Sequence, residues 1–459
     1  MMKGARANIV EAIGNTPIVK LNKVAAHVKS DIFVKLEYLN PGGSMKDRVA
    51  LNIIKDAERR GLLGPGSTII EATSGNTGAG LALVGCIRGY KCIFVMPDKM
   101  SNEKIQTLRA FGAKVVICPT AVEPEDPRSY YEVTKRLVRE TPNSFHSNQY
   151  YNPANPEAHY VSTGPEIWEQ TGGEIDVFVA GMGTGGTISG CGRYFKEKKP
   201  GFQVVGVDPI GSLYYEYVKT GRLTKPFSYY VEGIGEDFLP GTMNLKIIDT
   251  IVRVDDKECF NITRELVRQE GIFCGGSSGA AVAGAIRYAE GLGDQKKNIV
   301  VLLPDSAQKY LSKIFDDEWM RSNGFLEEED PLGTVRDLLA AKRQRPIIAT
   351  NRGESLRNVI TQMKEHSISQ IPVLDNGRLS GLVSEIDLLN YLLSHPGQMD
   401  GPVDDLIEAD YATVTPQTKI KLLKNIFNEA KLVCVLERDD LVGVITKIDL
   451  IEYLASKRA

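Results

Sequence analysis

The sequence predicts an open α/β sheet domain followed by a smaller module that is built from two similar copies. Over residues 9–315, short β-branched runs alternate with amphipathic helical patterns and glycine turns. This alternation is typical of a sheet with helices on both faces and ligands at the carboxyl ends of its strands. Further along, two stretches of sequence recur at an offset of 62 residues, from 381 to 443. A chain of 459 residues has room for about three domains of ordinary size, so both parts fit.

The composition excludes several classes of protein. Hydrophobic residues make up 42% and charged residues 25% of the chain, which excludes a disordered or fibrous protein. The net charge of −3 and the short apolar runs give no reason to expect a nucleic-acid partner or a membrane partner. The start of the chain lacks the apolar stretch of a secretory signal, and the seven cysteines and five histidines lack disulfide or metal-site spacing. We therefore expect a cytoplasmic protein without a structural metal.

Seven apolar runs are predicted to be buried strands. They cover residues 32–36, 67–71, 91–96, 114–118, 177–180, 203–207 and 298–303. The first long helix is predicted over residues 46–60, where Val49, Ile53 and Ala57 recur on one face.

An acidic segment separates the two parts of the chain. Its run of carboxylates before Pro331 is suited to a solvated linker. In the second part, residues 381–388 align with 443–450, and residues 371–375 align with 433–437. The predicted divisions are a first domain over 1–325, a linker over 326–340 and a module over 341–459, with copies at about 341–396 and 400–459.

The first of four glycine clusters, residues 41–48, leads into the first long helix. Ser44 is a plausible N-cap, which would place Lys46 in the first turn. There the helix dipole opposes a positive charge and favours the neutral amine that Schiff-base chemistry requires. The alternative is an ordinary exposed lysine, which is the commoner case for a lone lysine.

The second cluster, residues 71–78, follows a predicted strand and opens a helix predicted over 79–88. Its small hydroxyl residues and free backbone N–H groups favour a cradle for a carboxylate or a phosphate. An ordinary capped turn is the alternative.

The third cluster, residues 181–187, satisfies the G-x-G-x-x-G pattern after a strand, and Asp208 follows about 20 residues on. This pattern supports a nicotinamide-dependent dehydrogenase that uses Gly181–Gly186. The amides of such a loop bind a single phosphate equally well.

The fourth cluster, residues 275–279, matches the G-x-S-x-G nucleophile elbow. A hydrolase would need a later histidine, and only His366 and His395 follow, both across the linker. The hydrolase interpretation is therefore weak.

Taken in order, the four clusters resemble the fold-type II pyridoxal-phosphate enzymes of the cysteine synthase/cystathionine β-synthase family, over residues 9–325. The region after the linker resembles a tandem CBS-domain (Bateman) module. The resemblance implies a tryptophan synthase β-like fold, pyridoxal 5′-phosphate as cofactor and a homodimer or higher homo-oligomer. It implies that L-homocysteine replaces the hydroxyl of L-serine, or the acetoxy group of O-acetyl-L-serine, to give cystathionine, with hydrogen sulfide release as a side reaction. The alternatives are a cysteine synthase that uses sulfide, the dehydrogenase, and a non-catalytic sensor built on the CBS pair.

The resemblance also implies roles for individual residues. Lys46 would attach the cofactor and move the proton at the substrate Cα, and Asn76 would bond the phenolic oxygen. Ser277 would face the pyridine nitrogen as a neutral partner, which suits elimination and replacement better than transamination. The phosphate would be held by Gly183, Thr184, Gly185, Gly186 and Thr187. The amino-acid substrates would contact Thr73, Ser74, Thr77, Gln149, Tyr150, Glu232, Gly233 and Gly235.

Residues 231–240 separate members of this family. We expect the Glu232 carboxylate to receive the ammonium group of homocysteine, a contact that sulfide lacks. Glu236 stands where many animal and fungal members carry tyrosine, which leaves the choice between serine and O-acetylserine open. The catalytic pattern begins within the first ten residues, where the animal enzymes carry a haem-binding extension, so no haem is expected.

Each copy in the second part carries a hydroxyl residue and, three positions later, an aspartate: Ser384 with Asp387, and Thr446 with Asp449. At the start of a helix the two side chains share a face. Similar modules bind adenosyl ligands there, so S-adenosylmethionine or an adenine nucleotide is the expected effector. The alternative is that these residues cap helices over 388–393 and 450–455, and that the module is only a dimerisation surface.

Overall fold

The fold is described from a computed structural model of the chain. The structure describes Met2 and residues 4–73, 75–98, 100–120, 122–123, 125–326, 332–342 and 346–457. The chain divides into two compact units, residues 1–327 and 328–459, and each is described by itself. None of the helices in the described ranges combines the length and the apolar character that crossing a membrane requires.

The first unit, called the catalytic unit below, contains two sheets and the helices that connect their strands. Its strands are β1 Ile18–Lys20, β2 Asp31–Leu36, β3 Thr68–Ala72, β4 Lys91–Pro97, β5 Lys114–Cys118, β6 Ser144–His146, β7 Val177–Gly181, β8 Gln203–Pro209, β9 Thr250–Val254 and β10 Asn298–Leu303. Its helices are α1 Lys46–Arg59, α2 Asn76–Arg88, α3 Asn102–Ala110, α4 Tyr130–Glu140, α5 Ala154–Ala158, α6 Gly164–Gln170, α7 Gly186–Lys198, α8 Tyr214–Thr220, α9 Asp256–Glu270, α10 Gly276–Gly291 and α11 Asp317–Ser322.

The larger sheet has six strands in the order β1-β2-β10-β7-β8-β9, and the smaller sheet has four in the order β5-β4-β3-β6. Every pair is parallel except β1 with β2. The central strands are buried on both sides, as parallel strands covered by helices must be. All seven predicted strands are present, and those over 114–118 and 298–303 have the predicted bounds.

Of the two helices nearest the predicted cofactor cluster, α1 begins at Lys46 as predicted but has a different N-cap residue, whereas α2 begins earlier than predicted. Met45, not Ser44, is the N-cap of α1, although the Ser44 hydroxyl still accepts the Lys46 N–H at 3.3 Å. Helix α2 begins at Asn76, three residues before the predicted start, because the Thr73 hydroxyl accepts the N–H groups of Gly75 and Gly78 at 3.0 and 3.2 Å. That capping satisfies amides that would otherwise lack partners.

In its described residues the second unit, called the CBS unit below, has one six-stranded sheet in the order β11-β12-β13-β16-β15-β14 and five α-helices. Its strands are β11 Thr350–Asn351, β12 Gln370–Asp375, β13 Arg378–Ser384, β14 Ala412–Val414, β15 Leu432–Glu437 and β16 Asp440–Thr446. Its helices are α12 Val335–Ala341, α13 Leu356–His366, α14 Glu385–Ser394, α15 Ile420–Glu429 and α16 Lys447–Ser456. The hairpins β12–β13 and β15–β16, each followed by a helix, contain the aligned residues of the two copies, 371–375 with 381–388 and 433–437 with 443–450.

The linker predicted over 326–340 is too long at its carboxyl end. Residues 327–331 lie outside the described ranges, but α12 is part of the CBS unit. Val335 and Leu338 are buried in the same core as Ile420 and Val433, so this helix packs on the second copy. The apolar pattern of α12 is short and directly follows the acidic residues, so this helix was assigned to the linker.

Candidate active site

One cavity of about 790 Å³ collects residues from all four glycine clusters. It opens where the carboxyl ends of β3 and β7 meet the first turns of α1, α2, α7 and α10, the usual ligand position in open α/β sheets. The predicted site residues that line it are Lys46, Thr73, Asn76, Thr77, Gln149, Tyr150, Gly183, Thr184, Gly185, Thr187, Glu232, Gly233, Gly235 and Ser277. Gly186 is the first residue of α7 beside this wall, and Ser74 lies outside the described residues.

Lys46 is the first residue of α1 and lines the cavity. Burial lowers the pKa of its amine to about 8, against the opposing charges of Glu236 and Asp305. The direction agrees with the expected neutral amine, but the main cause is desolvation. The lowered pKa leaves a larger neutral fraction at neutral pH than an exposed lysine has, which suits this amine to nucleophilic and base chemistry.

The turn before α2 presents hydroxyl groups to the cavity. The Thr73 oxygen accepts two backbone N–H groups, which leaves its O–H as the group that can donate to a carboxylate. Gly75 has a φ of +123°, a conformation that favours glycine, and an added Cβ would meet Lys104 at 2.8 Å. The Thr77 hydroxyl donates to the Gln149 side chain at 2.5 Å. Thr73, Thr77 and Gln149 therefore form one polar wall.

Glu71, which the sequence analysis did not single out as a site residue, holds the turn that presents Gln149. Its carboxylate accepts the Ser147 hydroxyl at 2.6 Å and the backbone N–H groups of Asn148 and Gln149 at 2.7 and 3.1 Å. It is 1% exposed, and burial raises its pKa to about 7. It is a buried acid that titrates near neutrality behind the polar wall.

The raised pKa of Glu71 predicts a pH dependence of stability. The folded protein holds this proton more tightly than the unfolded chain, so the contribution of Glu71 falls as pH rises from about 4.5 to about 7. Glu71→Gln should flatten the decline in melting temperature between about pH 5 and pH 7. Glu157→Gln, at a half-exposed carboxylate, is the control and should keep the wild-type profile. Parallel profiles for wild type and Glu71→Gln would contradict the assignment.

The sequence analysis also missed the residues that fix the orientation of the Asn76 side chain. The Asn76 amide donates to Asp305 at 2.8 Å and accepts from Lys309 at 2.7 Å, so its donor end and its acceptor end are both assigned. Tyr310 donates to the same Asp305 oxygen at 2.7 Å. These three residues follow the carboxyl end of β10, a position that could have marked them as candidates.

The loop Gly183–Thr187 forms the wall at the N-terminus of α7, a 13-residue helix. Asn155 donates to the Thr184 hydroxyl at 3.2 Å, and Gly185 adopts a φ of +83°. An added Cβ on Gly186 would meet the Asn155 oxygen at 2.0 Å, so the loop needs glycine for close packing. Backbone N–H groups and two threonine hydroxyls at a helix N-terminus form a donor set for one phosphate.

The dinucleotide interpretation of this loop requires an acidic side chain that reaches a bound ribose, and Asp208 does not meet this requirement. Asp208 is fully buried, accepts the Tyr215 N–H at 2.9 Å and is not among the residues that line the cavity. It therefore cannot contact a ribose in the cavity.

Glu232 has two cationic partners within the protein, and its role toward homocysteine stays a prediction. It lies on the cavity wall, but its two oxygens already bond Lys104 at 2.5 Å and Lys313 at 2.8 Å. Burial would raise its pKa, but the two lysines lower it, so it is held as an anion. An incoming ammonium group would have to displace a lysine.

The donor set of the cavity fits pyridoxal phosphate. Lys46 supplies an amine for its aldehyde, Gly183–Thr187 supply donors for its phosphate, and the buried Ser277 on α10 supplies a neutral hydroxyl. Comparison with known proteins agrees with this fit. Residues 9–305 match the family described as "Pyridoxal-phosphate dependent enzyme", which is more than half of the chain. The chain belongs to this family. Pyridoxal phosphate is its cofactor.

Further comparisons concern the rest of the chain and individual relatives. Residues 335–394 and 403–456 match the CBS domain. A cystathionine beta-synthase of Apis mellifera is 39% identical over 97% of this chain and 90% of its own length. A cysteine synthase of Staphylococcus aureus is 44% identical over 66% of this chain and 95% of its own length. A crystal structure of a hydrogen sulfide-producing enzyme from Fusobacterium nucleatum covers 67% of this chain at 37% identity and a TM-score of 0.62.

In the CBS unit, both predicted hydroxyl–aspartate pairs form capping boxes. Asp387 bonds the hydroxyl and the backbone N–H of Ser384 at the start of α14, and Asp449 does the same with Thr446 at the start of α16. Asp449 also pairs with Lys342 at 2.8 Å. The capping that we considered as the alternative is therefore present, and ligand binding stays a prediction.

Proposed function

We propose that this enzyme makes cystathionine, by replacing the hydroxyl of L-serine or the acetoxy group of O-acetyl-L-serine with the sulfur of L-homocysteine. The observation that carries the proposal is the convergence of the Lys46 amine, the polar wall and the α7 N-terminus in one cavity. The extent of the matches also supports the proposal. The Apis cystathionine beta-synthase matches nearly the whole chain, whereas the Staphylococcus cysteine synthase matches about two thirds of it.

The groups in the cavity have different roles in the proposed reaction. Bound pyridoxal phosphate supplies a conjugated ring that accepts the electron pair left at the substrate Cα. The polar wall orients the substrate carboxylate, with the Thr73 hydroxyl and the Gln149 amide N–H as donors and with Thr77 donating to the Gln149 oxygen, which holds that amide in place. The Lys46 amine, with its lowered pKa, takes the proton from Cα and returns it once the sulfur has been added. Ser277 offers the ring nitrogen a hydroxyl in place of a carboxylate, which favours loss of the β-substituent over transamination.

Product analysis is the direct test. The purified holoenzyme is given serine or O-acetylserine, each with homocysteine or with sulfide, and the products are identified by mass spectrometry. Cystathionine as the main product supports the proposal. Cysteine as the only product would replace it with the second candidate, a cysteine synthase, which the 44% identity over 66% of this chain favours.

The paired lysines at Glu232 lead to a prediction on the choice of nucleophile. We expect homocysteine to outcompete sulfide in the wild type. Glu232→Gln removes the negative charge that compensates Lys104 and Lys313, so the cavity becomes more attractive to the hydrosulfide anion. The selectivity for homocysteine over sulfide, measured as a ratio of kcat/KM values, should fall roughly tenfold, about 1.4 kcal/mol.

Asp237→Asn is the control for Glu232→Gln, because Asp237 also lines the cavity. It should change the ratio much less if the lysine pair is what matters. Equal changes in both variants would mean that only the total charge of the cavity counts.

We also propose that the CBS unit binds an adenosyl ligand at its hydroxyl–aspartate pairs. S-adenosylmethionine or an adenine nucleotide should then raise the melting temperature of the full chain, and Asp449→Ala should abolish the shift. Asp337→Ala removes the capping box at the start of α12, which lies outside the two pairs, and is the control for lost capping. Calorimetry that detects no binding to the full chain would leave only a structural role.

Cytoplasmic location and a homodimer are further proposals. The seven cysteines are free thiols, as in most proteins of a reducing compartment. The homodimer rests on the family resemblance, and sedimentation of the purified chain tests it.

A further inference from the structure

A buried histidine that the sequence analysis assigned to no site contacts the edge of the cofactor cavity. His159 is fully buried and begins a single π-helical turn, His159–Thr163, between α5 and α6. Such turns are rare and occur often at functional sites. The surroundings of this ring therefore merit a functional explanation.

Both ring nitrogens of His159 face threonine hydroxyls. Nδ1 lies 2.9 Å from the Thr163 oxygen within the π-helical turn. Nε2 lies 3.1 Å from the Thr187 oxygen in the first turn of α7. Thr187 lines the cavity at the loop where the cofactor phosphate is placed, so the ring connects that loop to the π-helical turn.

The ring is neutral. Burial lowers the pKa of His159 well below its usual range, and the charges of Lys46 and Arg48 act in the same direction. A neutral imidazole has one N–H, so one nitrogen donates and the other accepts. Which nitrogen donates depends on where the two hydroxyl hydrogens point.

The direction of the Thr187 O–H bond determines which ring nitrogen of His159 carries the proton. The cavity-side partner of this hydroxyl in the structure is the Met45 sulfur at 3.4 Å, which is a weak acceptor. A phosphate oxygen is a far stronger acceptor, so the single hydroxyl hydrogen should go to the phosphate when the cofactor binds. The Thr187 oxygen must then accept from Nε2–H, and Nδ1 must accept from Thr163.

We propose that His159 is a positioning residue for the cofactor phosphate, which donates through Nε2 to Thr187 and so turns the Thr187 hydroxyl hydrogen toward the phosphate. The proposal rests on the placement of the phosphate at Gly183–Thr187. It does not depend on which amino acids the enzyme converts.

The test is a double-mutant cycle on cofactor binding. The apoproteins of wild type, His159→Asn, Thr187→Val and the double variant are titrated with pyridoxal phosphate, and ³¹P NMR records the bound phosphate. Each single variant should raise Kd roughly tenfold, because one hydrogen bond to a charged group is lost or misdirected. In the double variant Kd should stay within about twofold of Thr187→Val, since the histidine acts through that hydroxyl. The ³¹P shift should move in both single variants.

His159→Gln is the conservative variant, since its longer amide can still donate toward Thr187, and Kd should stay within about threefold of wild type. Should His159→Asn fail to fold, Thr163→Val keeps the ring but removes the donor to Nδ1. Its effect on Kd should have the same sign and should vanish in a Thr187→Val background.

The results distinguish a wrong role for His159 from a wrong placement of the phosphate. Additive effects of His159→Asn and Thr187→Val would overturn the proposal, because the histidine would then have only a packing role. An unchanged Kd and ³¹P shift in Thr187→Val would overturn the placement of the phosphate itself.

Discussion

Lys46→Ala should lower turnover by at least about a thousandfold, the loss expected when one residue both attaches the cofactor and moves the proton at Cα. The purified wild type should be yellow, and borohydride should fix the chromophore on the peptide that contains Lys46. The variant should bind pyridoxal phosphate weakly and give no labelled peptide. Absorption spectra and peptide mass spectrometry of the treated proteins measure both effects.

Lys55→Ala is the matched control, since Lys55 is an exposed lysine of the same helix. It should keep colour, labelling and turnover. Labelling at another lysine in wild type would contradict the role of Lys46. A colourless wild type that binds a nicotinamide dinucleotide would revive the dehydrogenase alternative.

Much of the site could be predicted from the sequence because most of its glycine clusters come directly after strands. Lys46, Thr73 and Gly183 each stand in a glycine cluster that comes after a strand, and parallel strands bring such turns to one edge of a sheet. Ser277, by contrast, lies in the first turn of α10 with no named strand directly before it. The clusters that hold Lys46 and Gly183 lie far apart in the chain, but they follow β2 and β7, which both pair with β10 in the larger sheet. Sequence pattern and fold therefore agree at this site.

The supporting residues were not predictable in the same way. Glu71 lies inside a strand, where a glutamate is ordinarily read as solvated, and its partners at 147–149 come from a distant turn. Lys309 and His159 look like isolated polar residues in the sequence. Their roles depend on burial and on contacts with Asn76 and Thr187, which only the packed structure brings close.

Arg48, two residues after Lys46, is the clearest case of a charge that only packing explains. Its guanidinium is buried and bonds both oxygens of Glu37 at 2.8 Å and both oxygens of Glu166 at 2.8 and 2.9 Å. Lys35, also fully buried, adds a second cation at Glu166. The cluster joins β2, α1 and α6 beneath the turn that carries Lys46.

Arg48→Met should destabilise the catalytic unit by about 3–5 kcal/mol, because it leaves the buried Glu37 carboxylate without its cation. Arg193→Met is the matched control. Arg193 pairs with Glu157 at 2.9 Å, but about half of each side chain is exposed, so the loss should stay within about 1 kcal/mol. Chemical unfolding followed by circular dichroism measures both variants.

The acid side of the stability profile tests the same cluster. Burial alone would raise the pKa of Glu166, but the hydrogen bonds and charge of Arg48 and Lys35 lower it to about 2. A carboxyl with a lowered pKa stabilises the fold above its unfolded value, near 4.5, and this contribution is lost as pH falls toward about 2. Arg48→Met should therefore lose less stability than wild type over that interval, although it starts from a lower value. A variant whose unfolding free energy runs parallel to that of wild type from about pH 5 to pH 3 would show that Arg48 does not set the ionisation of Glu166.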